Sequence, residues 1–146
     1  MQQLVRDVMT GWPMTLPPEA SVMQAARIMR DRDTGDVVVT DSRGRVSGIL
    51  TDRDIVTRVI ASGRDPALTA IRDVLTPTPV TVQPDTEASV AVALMREHAV
   101  RRLPVVDAGA TLIGIVSLGD LAVKEGKDRR TGDTLQEISA GVKERG

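Results

Sequence analysis

Residues 4–55 align with residues 70–121 without a gap, at a constant offset of 66. The identities are spread along the match. Arg6-Asp7-Val8 returns as Arg72-Asp73-Val74, Thr10 as Thr76, Pro13 and Thr15 as Pro79 and Thr81, Met29-Arg30 as Met95-Arg96, Asp41 as Asp107, and Asp54 as Asp120. Such a match marks an internal duplication, which restricts the chain to folds built twice from one supersecondary unit.

Each copy has the same order of patterns. Met14-Thr15-Leu16 and Val80-Thr81-Val82 are short extended segments that follow a proline. Val22, Ala25, Ala26 and Met29 then fall at i, i+3, i+4 and i+7, as do Ala88, Ala91, Val92 and Met95, so each predicts a helix with one apolar stripe. Asp36–Thr40 and Leu103–Val106 are β-rich. Asp41-Ser42-Arg43-Gly44 and Asp107-Ala108-Gly109-Ala110 supply hairpin turns, and Val46–Leu50 and Leu112–Val116 are the return strands. An apolar helical segment closes each unit, with Gly63 as the expected C-terminal cap of the first. The expected fold class is therefore α+β, with two β-α-β-β-α units. A unit of this size buries too little surface to be stable alone, so the two are expected to pack sheet to sheet about a pseudo-twofold axis. The expected division is 1–66 for the first unit, 67–125 for the second, and 126–146 for a tail that is flexible or forms one short helix at Thr134–Ile138.

The return strands end in the repeat's most polar signature. Gly48-Ile49-Leu50-Thr51-Asp52-Arg53-Asp54 and Gly114-Ile115-Val116-Ser117-Leu118-Gly119-Asp120 each carry a hydroxyl three residues before an aspartate at a strand-to-helix junction. Two roles fit. The pair can be a capping box that satisfies free backbone N–H groups, or the junction can bind an anion at the helix start.

Composition narrows the function classes. Nineteen Lys+Arg against 20 Asp+Glu give a formal charge of −1, so no global field recruits nucleic acid or a membrane surface. Trp12 is the single aromatic residue, too few for base-stacking platforms; it reads as a packing residue or interface plug. No apolar run reaches the ~20 residues of a membrane span. Met1-Gln2-Gln3-Leu4-Val5-Arg6-Asp7 lacks the regions of a signal peptide, so a cytoplasmic location is expected. There is no cysteine, and His98 has no second His or Cys to share a metal. With no nucleophile–base constellation, no enzymatic activity is expected.

Arg-Asp-Val-Met at 6–9, Arg-Arg-Leu-Pro-Val-Val-Asp at 101–107 and the two glycine-to-aspartate motifs, in this order and duplicated, resemble tandem CBS domains, the Bateman module. The resemblance covers about residues 4–125, and the chain looks like a stand-alone bacterial CBS-pair protein. It implies a non-enzymatic regulatory module without an obligatory cofactor. The implied ligand is adenosyl, with AMP, ADP, ATP, NAD or S-adenosylmethionine as candidates, bound in clefts between the two units. Signalling would pass through a change of conformation or of partner, with a homodimer and an unidentified protein partner expected. The alternative is a structural or dimerisation scaffold with vestigial pockets. By the same resemblance Asp54 and Asp120 would take ribose hydroxyls, and Thr51 and Ser117 ribose or phosphate. Arg102, with Arg101 beside it, would meet phosphate. The base would lie against main chain at Thr10, Pro13, Met14 and Thr15, or at Thr76, Pro79, Val80 and Thr81. The base-side segment of one unit is expected to complete the site at the other unit's aspartate.

Residue chemistry agrees with these roles. A carboxylate accepts both donors of a vicinal diol, and an arginine fork makes charge-assisted bonds to phosphate. The copies also differ. Asp36 stands where the second unit has Arg102, which disfavours an anion at the first site, and Arg53 is the residue placed to offset it. The site with Asp120, Ser117 and Arg102 is expected to prefer phosphates.

Overall fold

The computed structural model describes residues 2–77 and 80–125. The possible helix at Thr134–Ile138, the remaining tail and Pro79 lie outside the described residues.

Helix formation follows the predicted stripes. α1 (Val22–Arg32) starts at Ser21, whose hydroxyl accepts from the Gln24 N–H while the Gln24 side chain accepts from the Ser21 N–H. It buries Val22, Ala25 and Met29 and stops at Asp33 in the left-handed region. The second repeat's helix, Ala88–His98, buries Ala88, Ala91, Val92 and Met95 and stops at left-handed Ala99, the residue matching Asp33. With α2 assigned to Asp52–Asp54, this helix is α3 and the closing helix Leu118–Glu125 is α4.

The strands are β1 (Thr10–Gly11), β2 (Thr15–Leu16), β3 (Asp36–Thr40), β4 (Val46–Thr51), β5 (Arg102–Val106) and β6 (Leu112–Ser117). One sheet has the order β2-β3-β4 and the other β1-β6-β5. Both hairpins are antiparallel, and both shift register at the same repeat position, Val39/Thr40 and Val105/Val106. Asp41 and Asp107 hold the turns, each accepting two backbone N–H groups.

Two isolated bridges make the sheets equivalent. Thr76 bridges Ile49 as Thr10 pairs with Ile115, and Val82 bridges Val105 as β2 pairs with β3. The chain accordingly forms two compact units that are not consecutive in sequence. Residues up to Pro13 join those from Val80 onward, and Met14–Pro79 form the other unit. Backbone hydrogen bonds fix this exchange in both copies. Val5 and Arg6 donate to Thr86 and Pro84, and Ile71 and Arg72 donate to Ala20 and Pro18. The compact units therefore divide the chain differently from the repeats, because the 3-10 turns at Val5–Asp7 and Ile71–Asp73 each seat on the other copy's sheet-and-helix layer.

Each unit has its own aliphatic core. Val5, Val82, Ala91, Met95, Leu103, Val116 and Leu121 lie in one, and Val22, Ala25, Val39, Leu50, Val59 and Ile71 in the other. Trp12 belongs to neither; it is 90% exposed at a positive φ of 53°. The first closing helix departs from the sequence pattern, because after Asp54 the chain winds as a π-helix over Ile55–Ile60. Val59 is buried by that winding, whereas Val56 and Ile60 face outward. Gly63 ends it at a φ of 73°.

Candidate functional site

The glycine that opens each motif is required by close approach. A Cβ on Gly48 would stand 2.5 Å from the Thr76 carbonyl oxygen, and one on Gly114 would stand 2.9 Å from that of Thr10. Each glycine therefore admits the other copy's leading segment onto the strand that runs into the motif aspartate.

At the first junction β4 ends at Thr51 and the helix begins. The Thr51 hydroxyl accepts from the Asp54 N–H at 3.1 Å, and Asp54 Oδ2 accepts from the Thr51 N–H at 3.1 Å. The capping box expected as one of the two readings is complete here. The Asp54 carboxylate is buried, and it takes two further groups. Thr76 Oγ1 donates to it at 3.3 and 3.4 Å, and Arg58 Nε lies 3.8 Å from Oδ1. Arg58 Nη1 in turn donates to the Val74 carbonyl at 3.1 Å. Sequence reading missed Arg58, although Asp54–Arg58 has the i,i+4 spacing, acid first, that helix neighbours use.

At the second junction the cap is half made. The Asp120 N–H donates to Ser117 Oγ at 3.0 Å. The Asp120 carboxylate, half-buried, has no hydrogen-bond or ion-pair partner among the described residues. Ladder register puts Arg102 directly opposite Ser117, as it puts Asp36 opposite Thr51. The strand-end charge beside the hydroxyl is therefore inverted between the copies. Arg101 is exposed, and its carbonyl accepts the first N–H of α4, from Leu118, at 2.8 Å.

The structure thus brings Thr51, Asp54 and Thr76 into one hydrogen-bonded group. It places Ser117, Asp120, Arg101 and Arg102 at one end of the other sheet, with Thr10 on the neighbouring strand opposite Ile115. Arg53 is exposed on the first turn after Thr51. The remaining predicted residues, among those described, make no hydrogen bond to either junction group. Thr15 pairs with Val38, a strand away from β4, with exposed Met14 before it. Pro13 is half-buried, Val80 packs on the core, and Thr81 is exposed.

Two α+β repeats, each sending a strand through a hydroxyl-x-x-aspartate helix start, define a duplicated module with paired strand-to-helix junctions. Similarity to known proteins places it: the CBS domain profile matches residues 5–61 and 71–124, and the chain belongs to that family. CBS domain-containing protein YhcV of Bacillus subtilis (strain 168) is 38% identical over 135 residues, spanning 92% of this chain and 94% of that one. Among solved structures, the CBS domain pair of protein MJ0100, in complex with 5′-methylthioadenosine and S-adenosyl-L-methionine, has a TM-score of 0.77. It is 25% identical, covering 87% of this chain and 98% of that one. CBSX2 in complex with AMP has a TM-score of 0.73 at 26% identity, with the same coverages of 87% and 98%. Among the described residues no helix is long and apolar enough to cross a membrane, and no group of three His, Cys, Asp or Glu could hold a metal ion.

Proposed function

We propose that the chain is a non-enzymatic regulatory module, working in the cytoplasm as a homodimer, that binds an adenosyl ligand at its motif aspartates. The observation that carries this reading is the Asp120 carboxylate, which has no partner among the described residues, on the helix start that follows Ser117, itself opposite Arg102 in the sheet. A half-buried carboxylate without a donor is suited to a ribose diol, which brings two. Arg102 and Ser117 then receive phosphate, Arg101 adds charge at the rim, and the Thr10 strand supplies main-chain contacts. The ligands of MJ0100 and CBSX2 support the adenosyl class. Arg102 favours a nucleotide such as AMP at this junction, while Asp54, Thr51, Arg53 and Thr76 form a second, weaker site. Occupancy reaches a protein partner to the extent that the ligand prefers one conformational state.

A ligand-free scaffold is the second reading, and the complete cap at Asp54 is the observation in its favour. A thermal-shift panel with AMP, ATP, NAD and S-adenosylmethionine separates the two. A ligand at 100 times its Kd adds about 2.7 kcal/mol of stability. Asp120→Ala is expected to remove most of the AMP shift, leaving the contribution of the weaker site. No shift with any of the four at millimolar concentration sinks the sensor reading.

A further inference from the structure

The two motif aspartates differ in what already occupies them. Asp120 has no side-chain partner among the described residues, whereas Asp54 holds the Thr51 N–H, the Thr76 hydroxyl and the Arg58 guanidinium. The last two do more than satisfy a charge. Arg58 reaches from Asp54 to the carbonyls of Val74 and Leu75, at 3.1 and 3.5 Å. Thr76 is also bridged to Ile49 through two backbone bonds of 3.1 and 3.3 Å. One carboxylate thus ties the start of its own helix to the 74–76 segment near the start of the second repeat.

A carboxylate offers acceptors only, so every donor on Oδ1 and Oδ2 competes with a ribose hydroxyl for the same lone pairs. We propose that Thr76 and Arg58 are a latch on Asp54, which an adenosyl ligand must displace to bind there, and that displacement frees residues 74–76. The proposal rests on the ribose role given to the motif aspartates above. Its consequences are an order of filling, Asp120 before Asp54, and a mechanical output at the second event. The first occupant finds an open carboxylate and moves nothing. The second exchanges internal donors for ligand donors, and the 74–76 segment loses its side-chain ties.

The test uses the full chain with Asp120→Ala, which leaves the Asp54 junction as the site, and adenosine as the probe, since it carries no phosphate to oppose Asp36. Calorimetry is expected to show that adding Thr76→Val tightens adenosine binding by about 3- to 10-fold, the worth of one hydrogen bond removed from the competitor. Damage to the fold would weaken binding, so a gain separates the latch from a structural role. Hydrogen exchange supplies a reading that needs no ligand: Arg58→Gln is expected to speed exchange at the Thr76 amide. Adenosine added to the Asp120→Ala protein is expected to do the same. The latch is overturned if Thr76→Val leaves affinity unchanged or lower while Asp54→Ala abolishes binding; the ribose role then stands. Absence of adenosine binding in the wild type and in every variant overturns the ribose role and the latch together.

Discussion

Replacing Gly48 with alanine drives a methyl carbon into Leu75 Cδ1 and puts it 2.5 Å from the Thr76 carbonyl oxygen and 3.3 Å from Pro77 Cα. Leu75 can swing its side-chain end away, but the Thr76 carbonyl is backbone and must retreat. Retreat breaks the Ile49–Thr76 bridge, whose two hydrogen bonds measure 3.1 and 3.3 Å. Two such bonds contribute about 1–3 kcal/mol together, and overpacking of this kind costs about 1–3 kcal/mol. Against these, alanine's lower backbone entropy in the unfolded chain returns about 0.4–1 kcal/mol. The net expectation for Gly48→Ala is a loss of about 2–4 kcal/mol. Gly114→Ala meets the Thr10 oxygen at 2.9 Å and the movable Met9 sulfur at 3.1 Å, so its cost is smaller. About 1–2 kcal/mol is expected there. Urea unfolding followed by circular dichroism measures both. If Gly48→Ala is no more destabilising than Gly114→Ala, or if either stabilises, the close approach of the leading segments is not what requires the glycines.

The charge inversion beside the motif hydroxyl makes its own prediction. Arg102→Asp, which copies Asp36 into the second unit, is expected to weaken AMP by at least about tenfold while changing adenosine much less, as read by calorimetry. Equal losses for both ligands would remove Arg102 from phosphate recognition. Ser21→Ala removes the hydroxyl half of the α1 capping box and is expected to cost about 1 kcal/mol in the urea midpoint analysis. A change within a few tenths would mean that the Ser21–Gln24 box adds little to that helix.

Elements set by local pattern were readable from the residues themselves, whereas exchange between the copies was expected through the family resemblance and not from any residue pattern. The apolar stripes of both long helices, the Asp41 and Asp107 turns, and the Gly63 stop all depend on residues within a few positions of one another. The seating of Val5 beneath Thr86, or of Ile71 beneath Ala20, depends on hydrogen bonds between distant backbone groups that no side-chain pattern advertises. The same limit applies at the site. Thr51 and Asp54 were recognisable from their spacing, but Thr76 reaches Asp54 because the bridge to Ile49 puts it there. Arg58 had a legible i,i+4 relation to Asp54, yet its second contact, to Val74, follows from the exchange. The π-winding of Ile55–Ile60 had no signal in an apolar pattern compatible with an ordinary helix.

Duplication explains why one motif can serve two ends. A lone hydroxyl-x-x-aspartate start must satisfy its own helix, and a complete capping box uses the carboxylate that a ligand would need. With two copies, one can keep the box closed and the other can leave it half made. The Asp54 junction adds Thr76 and Arg58 to the closed box, so its carboxylate stabilises the local fold and the seat of the leading segment. At the Asp120 junction the described residues show the bond to Ser117, which orders the first turn, and no donor on the carboxylate. Opposite each hydroxyl the register places a different charge, Asp36 across from Thr51 and Arg102 across from Ser117. Cap completeness and flanking charge are separate observations on separate elements. Both set the two junctions apart, and both favour the proposed division, in which the second junction takes the anionic ligand and the first a larger structural share.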